Sequence, residues 1–461
     1  MNTQLNKCPL PHNPAPRAGT ARGILPRFLG RLVSRALPVA VATVVLAPAV
    51  FATPIEILFV GNSYTFGRID PVMSYNNANV NDLTRPRPDL PDPNFTETAG
   101  TRAWEPHPWG GIAGIFKKFT DEAGLSYNVS MSARNAASLR GQFLNTANAD
   151  WDLRGNVASK KWDVVMLQEQ SDAALPAGKG ANANLPQFSA YADKFEKFIH
   201  VGAAEPAFTE RSMYIAIYGS DAACRLALGT PTACSSATVR PIPANPNASA
   251  NTKVYLTETW ARPDMVFPHL STIADANYPT VPDGRPIVDK TNPLFPNGFQ
   301  DTLYYSTLGA MTADLHTAFA NKVAANPKFA GYAPAGDAFQ FAVDHNLVKT
   351  GGFYDAAGMY IPNQPGDPMN LWWDDYLHAS KYGSYLDALI QFGTITGLDP
   401  QSLGYYEQAA LDLGISSNNA LTLRQIAAQT LGFAAVPEPA SVLLLLTGLG
   451  MLGFTGRRRA A

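Results

Sequence analysis

The chain has 461 residues, of which 46% are hydrophobic and 16% are charged, and its formal net charge is −2 at pH 7. This length is enough for a sizeable core in one large domain or in two or three smaller ones. A chain so close to neutral lacks the basic surface that binds nucleic acid, which excludes nucleic-acid binding as its main role. The 36 Gly and 37 Pro residues indicate many ordered loops and argue against a helical bundle.

The N-terminal segment has the features of a secretory signal. Residues 17–35 carry five arginines and no acid, and the apolar stretch ALPVAVATVVLAPAVFA follows them. This order predicts a signal peptide over residues 1–52, with cleavage after about Ala52. The alternative is a transmembrane anchor, but the apolar run is short and Pro38 and Pro48 interrupt it.

The C-terminal segment VPEPASVLLLLTGLGMLGFTGRRRAA places Pro-Glu-Pro before an apolar run and a basic end. These features, in this order, resemble the PEP-CTERM sorting signal of Gram-negative bacteria, here over residues 434–461. The resemblance implies export, transient retention in the inner membrane by a short transmembrane helix, and cleavage by an exosortase-type enzyme. The alternative is a plain membrane anchor with its arginines in the cytoplasm. Either way, we expect the protein body in the periplasm, at the outer surface or in the extracellular matrix.

Two cysteines remain once the signal peptide is removed, Cys224 and Cys234. They are close in sequence in a chain bound for an oxidising compartment, so we expect a disulfide that closes a short loop. No histidine lies near the pair, which argues against a metal site there. The acidic residues show no calcium-loop spacing either, so the sequence predicts no metal and no cofactor.

Between the two signals, short apolar runs alternate with helical patterns, which is typical of parallel strands joined by crossover helices. The predicted strands are IEILFVG (55–61), YNVSMSA (127–133), KWDVVMLQ (161–168), KVYLTETW (253–260) and FAGYAPAG (329–336). The predicted helices are 110–124, 188–200 and 303–326. The expected fold is therefore an α/β three-layer sandwich with about five parallel strands, in a main domain over residues 53–399.

Three segments depart from this alternation. Residues 70–105 are rich in Pro, Asn and Asp and predict a long surface loop beside Ser63. Residues 203–252 predict an insertion with one further strand at RSMYIAIYG. Residues 400–433 predict one or two closing helices ahead of the sorting signal.

The first predicted strand ends in FVGNSYT, which places Ser63 in the turn that follows it. Ligands of open parallel sheets bind at the carboxyl ends of the strands, where this serine is expected. A nucleophilic serine needs a base within hydrogen-bond distance and a carboxylate that orients the base. The alternative for Ser63 is a turn or N-cap residue, a common role for serine after Gly-Asn.

A candidate base and its carboxylate occur together in LWWDDYLHASKYGSYLDALIQFG. Asp375 stands three residues before His378, ahead of an apolar helix. A loop of this spacing lets the carboxylate accept from one imidazole nitrogen while the other nitrogen faces a site. The alternative is an ordinary helix N-terminus with Asp374 or Asp375 as its cap.

Together, the serine and histidine stretches resemble the SGNH (GDSL-type) hydrolases, whose first block is a strand followed by Gly-Asp-Ser and whose last block is Asp-x-x-His. The resemblance covers about residues 55–395. It implies a flavodoxin-like fold with Ser63 as nucleophile, His378 as base and Asp375 as its orienting acid. Asn62 replaces the Asp of Gly-Asp-Ser, a residue that is not the proton acceptor.

The resemblance also implies an oxyanion hole. Its donors would be the backbone N–H of Ser63, a backbone N–H at Ala136, with Ala137 as the next candidate, and the side-chain amide of Gln170. The family has Gly and Asn where this chain has Ala136 and Gln170. Gln donates as Asn does, one methylene longer, whereas Ala is expected not to adopt the positive φ that Gly permits.

These features predict a secreted serine esterase that removes an acyl group, such as acetyl, perhaps from a carbohydrate. Acyl transfer to a sugar hydroxyl is an alternative in the same fold. The alternative from another class is an inactive surface or exopolysaccharide-associated binding protein that kept the fold. The predicted partners are an acylated small-molecule or polysaccharide substrate and the exosortase-type processing enzyme.

Overall fold

A parallel sheet of six strands lies at the centre of the part of the chain that the computed structural model describes. The described residues are 53–84, 108–146, 152–228, 231–269, 302–356 and 358–433. The strands are β1 (Ile55–Gly61), β2 (Asn81–Asp82), β3 (Tyr127–Ala133), β4 (Val164–Gln168), β5 (Lys253–Thr257) and β6 (Phe329–Ala333). Their order across the sheet is β2-β3-β1-β4-β5-β6.

Every pair of neighbouring strands is parallel. The chain adds β3 on one side of β1 and then β4 on the other, so the strand order reverses at β1. Open sheets of this kind bind ligands in the crevice at the carboxyl ends of the strands beside the reversal. The fold therefore places the residues after β1 where a ligand is expected.

The predicted parallel α/β fold is confirmed, and all five predicted strands form. The sixth strand, β2, has two residues and pairs with the edge of β3, inside the segment predicted as a loop. The last predicted strand ends earlier than expected, because Pro334 follows Ala333 and lacks the N–H that a sheet ladder uses. All five residues of the central strand β4 are buried, as its continuous apolar run predicts.

Helices flank the sheet. Their bounds are α1 (Ser63–Phe66), α2 (Gly111–Glu122), α3 (Leu139–Leu144), α4 (Leu153–Val157), α5 (Leu185–His200), α6 (Glu210–Tyr218), α7 (Asp221–Leu228), α8 (Pro231–Ser235), α9 (Leu308–Ala325), α10 (Ala335–Asp344), α11 (Lys381–Thr396), α12 (Gln408–Asp412) and α13 (Ser417–Thr430). Short 3-10 turns occur at Asn77–Asn79, Pro263–Met265 and Pro400–Leu403.

Aromatic contacts join the helices in two groups. Phe119 of α2 packs edge-on against Tyr385 of α11, with ring centroids 5.4 Å apart. In the second group, Phe188 of α5 packs against Phe319 of α9 at 4.8 Å. Such pairs add to the stabilisation that comes from apolar burial alone.

The prediction of a further strand at RSMYIAIYG was wrong, because this stretch forms α6. Its N-terminus has a capping box, in which Thr209 accepts from the Ser212 N–H and Ser212 accepts from the Thr209 N–H. Gly219 ends the helix in a left-handed conformation. These signals at both ends stabilise a helix, although the residues between them include β-branched and aromatic types that favour a strand.

Further along the insertion, the sulfurs of Cys224 and Cys234 are bonded, with their Cα atoms 5.9 Å apart.

The closing segment 400–433 contains a 3-10 turn and two helices, α12 and α13. Among the described residues, no helix has both the length and the apolarity to cross a membrane. The two segments predicted to meet the membrane, 1–52 and 434–461, lie outside the described residues. The described residues all belong to one compact unit.

Candidate active site

Ser63 is the first residue of the short helix that follows β1, so the chain turns sharply at its position. Gly61 makes the turn feasible, because a Cβ there would collide with Thr65 Oγ1. The helix N-cap is Asn62, whose side chain accepts from the Tyr64 N–H at 3.0 Å. Ser63 is therefore not the cap, and its hydroxyl, on a residue 6% exposed, is available for another partner.

That partner is His378. Its Nε2 lies 2.8 Å from Ser63 Oγ, and its Nδ1 lies 2.5 Å from Asp375 Oδ2. The other carboxylate oxygen of Asp375 accepts from the backbone N–H groups of Leu377 and His378 at 3.0 and 2.8 Å. The sequence-predicted serine, histidine and aspartate thus form one continuous hydrogen-bonded chain.

The loop that carries the aspartate and the histidine has an unusual backbone. Tyr376, between them, has a φ of 53°, in the left-handed region. This turn folds the Asp375 carboxylate back toward the following N–H groups. Helix α11 begins later and is capped by Ser380, which accepts from the N–H groups of Tyr382 and Gly383. The alternative in which Asp374 or Asp375 caps this helix was wrong, because the cap is Ser380.

Two aromatic residues hold this loop against the serine turn. Tyr64 Oη donates to the Leu377 carbonyl at 2.8 Å, and Trp260 Nε1 donates to the same oxygen at 3.1 Å. The two rings stack with their centroids 4.0 Å apart. Sequence reasoning missed both residues, because their partner is a backbone carbonyl far along the chain and no side-chain motif records it.

Burial and charge set the protonation of the histidine. Burial lowers the pKa of His378 below its ordinary value of 6.5, Asp375 opposes this, and the nearby Arg68 and Arg262 add to the lowering. Burial also acts to raise the pKa of Asp375, but the charge and hydrogen bonds of His378 outweigh it and the net shift is downward. The ground state is therefore a neutral imidazole beside an ionised carboxylate, as a general base requires.

Ala136 follows β3 and has a φ of 56°. The expectation that alanine avoids this region was wrong, because the surrounding turn imposes the conformation at a cost of about 1–2 kcal/mol. Ala137, the next candidate donor, already gives its N–H to the Arg134 carbonyl at 3.2 Å. Of the two alanines, Ala136 is therefore the better candidate for an oxyanion donor.

Gln170 follows β4, and its side chain is half-buried. Its backbone N–H donates to Glu169 Oε1 at 2.7 Å, and within the described ranges its side-chain amide has no hydrogen-bond partner. The same Glu169 oxygen accepts from the Leu139 N–H at 2.8 Å. This buried carboxylate thus joins the loop after β3, which carries Ala136, to the loop after β4. Burial raises the pKa of Glu169 to about 7, against the effect of these two N–H groups.

Asn62 connects the serine turn to both of these loops. Its Nδ2 donates to the Ala137 carbonyl at 3.0 Å and to the Glu169 carbonyl at 3.3 Å. Its backbone N–H donates to Gln168 Oε1 at 3.0 Å. An ionised Asp at this position has no N–H to give and would repel both carbonyls, which explains why this chain accommodates Asn.

The described geometry places a serine, a histidine and an aspartate in one hydrogen-bonded row at the carboxyl end of a parallel α/β sheet, which is the arrangement of a Ser-His-Asp triad. Residues 435–459 match the PEP-CTERM protein-sorting motif. The predicted sorting signal is thereby confirmed, and it indicates export, anchoring by the C-terminal region and recognition there by an exosortase.

Two solved structures illustrate the similarity to known proteins. A DUF4886 family protein from Bacteroides uniformis is 11% identical over 84% of this chain and 99% of that chain, with a TM-score of 0.38. A protein from Slackia heliotrinireducens, described as a candidate SGNH hydrolase, is 12% identical over 74% of this chain and 100% of that chain, with a TM-score of 0.32. No curated protein matches the sequence.

Replacement of Asn62 by Asp tests its role as the connection between the three loops. We expect Asn62→Asp to lower the free energy of unfolding by about 1–3 kcal/mol at pH 7, because two buried carbonyls lose their donor. Denaturant unfolding followed by circular dichroism measures the change. Asn251→Asp, at an exposed position, is the matched control and is expected to leave stability within about 0.5 kcal/mol. Equal stabilities of the two variants would contradict this role.

Proposed function

We propose that the protein is an exported serine esterase of SGNH type that acts on an acyl ester, such as an acetyl group on a carbohydrate. The observation that carries the proposal is the hydrogen-bonded chain from Ser63 Oγ through His378 to Asp375. A buried serine paired with a neutral, carboxylate-oriented imidazole is the arrangement that activates a hydroxyl for acyl transfer. The PEP-CTERM motif supports a site of action in the periplasm, at the outer surface or in the extracellular matrix.

In the proposed mechanism, Ser63 Oγ attacks the ester carbonyl carbon while His378 Nε2 takes the hydroxyl proton. The negative charge that develops on the carbonyl oxygen is stabilised by the N–H groups of Ser63 and Ala136 and by the Gln170 amide. His378 then gives its proton to the leaving alcohol, and the acyl group stays on the serine. Water, activated by the same imidazole, releases the acid and restores the free hydroxyl.

The test of the mechanism is hydrolysis of p-nitrophenyl acetate by the purified protein. We expect Ser63→Ala and His378→Ala each to lower kcat by about 10⁴-fold or more, because each substitution disables the activated nucleophile. His345→Ala changes an exposed histidine and is expected to retain full activity.

Two results would contradict the mechanism. Activity that survives Ser63→Ala would exclude Ser63 as the nucleophile. A wild-type protein that is folded by circular dichroism and inactive on a panel of acetylated polysaccharides would favour the binding protein over the esterase.

The pH dependence of kcat/KM tests the state of the histidine. Because the pKa of His378 is lowered, its imidazole stays neutral at pH values at which an ordinary histidine is protonated. We expect the midpoint of the acid limb below pH 6.5. Asp375→Asn removes the group that raises the pKa of His378, so the acid-limb midpoint of this variant is expected at a still lower pH. Its residual activity is expected to be lower by about 10⁴-fold. A wild-type midpoint above pH 6.5 would contradict this assignment.

A cavity of about 250 Å³ beside the Asp375–His378 loop supports a carbohydrate substrate. Its lining combines the aromatic rings of Trp373 and Tyr382 with the polar side chains of Asp70 and Asn363. Sugar rings pack their apolar faces on such rings and hydrogen-bond through their hydroxyls. Trp372 also borders this cavity, but it is only 2% exposed and its Nε1 already donates to the Ala261 carbonyl at 2.9 Å.

Trp373→Ala tests whether this cavity binds the sugar. We expect KM for an acetylated oligosaccharide to rise about tenfold, since one lost stacking contact contributes about 1.4 kcal/mol, while kcat/KM for p-nitrophenyl acetate stays unchanged. Tyr406→Ala removes an aromatic ring that is 78% exposed and is the matched control. Equal loss on both substrates would show a structural role for Trp373 and would count against sugar binding in the cavity.

A further inference from the structure

A second group of chemically reactive side chains lies at the carboxyl ends of β5 and β6, on residues that the triad does not use. Glu258 directly follows β5, Asp337 lies in the first turn of α10, and His316 lies on α9. One carboxylate oxygen of each acid and one ring nitrogen of the histidine lie within 4.8 Å of one another. We propose that Glu258, His316 and Asp337 bind a divalent transition-metal cation such as Zn²⁺.

Glu258 is the residue that points most directly to a cation. It is fully buried, and its Oε2 accepts from the Asp337 N–H at 3.1 Å. The Gly336 N–H also faces this carboxylate, but Oε1 completes no hydrogen bond among the described residues. A buried carboxylate oxygen without a partner is unfavourable. Gly336 leaves room for this carboxylate, since a Cβ at that position would lie 3.2 Å from Oε1.

The charge around Glu258 is unbalanced. Its neighbour Asp337, in the first turn of α10, is a second carboxylate. In the described part of the chain, no lysine or arginine forms an ion pair with either acid, and the partner of Asp337 is His316, with Nδ1 2.8 Å from Oδ2. A bound cation would supply the positive charge that two adjacent carboxylates lack.

The donor set favours a transition metal over calcium or magnesium. Imidazole nitrogen suits Zn²⁺ and its neighbours, whereas Ca²⁺ and Mg²⁺ take oxygen ligands. Tetrahedral ligands about 2.1 Å from Zn²⁺ lie about 3.4 Å apart, so a donor pair at the 4.8 Å limit would have to approach by about 1.4 Å. His316 can make this movement because its side chain is half exposed. Tyr332 Oη, 3.4 Å from His316 Nδ1, borders the position of a fourth ligand.

Such a cation would join the three segments that carry Glu258, His316 and Asp337, two of which also carry aromatic residues that support the serine turn. Trp260 lies two residues after Glu258, and Phe339 lies two residues after Asp337. These two rings stack with their centroids 4.9 Å apart. On its other side, Trp260 stacks on Tyr64, the neighbour of Ser63. The cation would therefore hold together the two segments whose rings, Trp260 and Phe339, stack beside Tyr64 in the serine turn.

Isothermal titration of the purified full-length chain with ZnCl₂, after treatment with EDTA, tests the proposal. We expect one equivalent of Zn²⁺ to be lost, or bound at least about tenfold more weakly, in His316→Ala and in Glu258→Gln, while MgCl₂ and CaCl₂ give no comparable binding. Histidines outside the proposed site contribute the same background in the wild type, in His316→Ala and in Glu258→Gln. His345→Ala changes an exposed histidine at the C-cap of α10; it is the matched control and is expected to keep the equivalent.

Thermal unfolding gives an independent readout. Zn²⁺ is expected to raise the Tm of the wild type and of His345→Ala, and not that of His316→Ala, because a ligand stabilises the folded state that binds it. If Glu258→Gln fails to fold, His316→Ala still tests the proposal. The His316 side chain is half exposed, so its removal leaves the core intact. Equal zinc stoichiometry, affinity and Tm shift in wild type and His316→Ala would overturn the proposal.

Discussion

The Leu377 carbonyl is the point at which the two halves of the candidate site are joined. The serine and histidine stretches are 315 residues apart in the chain, and a hydrogen bond between two side chains does not hold such distant segments in register by itself. Tyr64 and Trp260 both donate to this one oxygen, and their rings stack. The distance between Ser63 Oγ and His378 Nε2 therefore depends on a backbone acceptor and two buried aromatic residues.

Asn62 has the corresponding role on the other side of the serine. Its side chain caps the short helix and also reaches the loops after β3 and β4. Glu169 connects the same two loops through the N–H groups of Leu139 and Gln170. The loops that carry the proposed oxyanion donors are thus held by polar contacts in a buried region, where each lost partner leaves an unsatisfied group.

The sequence predicted the parallel sheet because a strand buried on both faces has a continuous apolar run, as in β1 and β4. It predicted Ser63, Asp375 and His378 because a strand–turn serine and an Asp-x-x-His loop are local patterns. It did not predict α6, where the caps at Thr209 and Gly219 decide against a strand. Nor did it predict Tyr64, Trp260 or Glu169 as parts of the site, because their partners are backbone groups that become neighbours only in the fold.

Ala136 shows most clearly why single-residue preference is an incomplete guide. Alanine disfavours a positive φ, yet the turn after β3 places Ala136 there, between the end of the strand and a loop tied to Glu169. A strained residue persists where its surroundings determine the backbone more strongly than its own preference does, and such residues cluster at functional sites. Tyr376, with a φ of 53° between the aspartate and the histidine, is a second case in the same region. Backbone strain therefore occurs in two loops of the candidate site, beside His378 and at a proposed oxyanion donor, where the proposed acyl transfer would depend most on geometry.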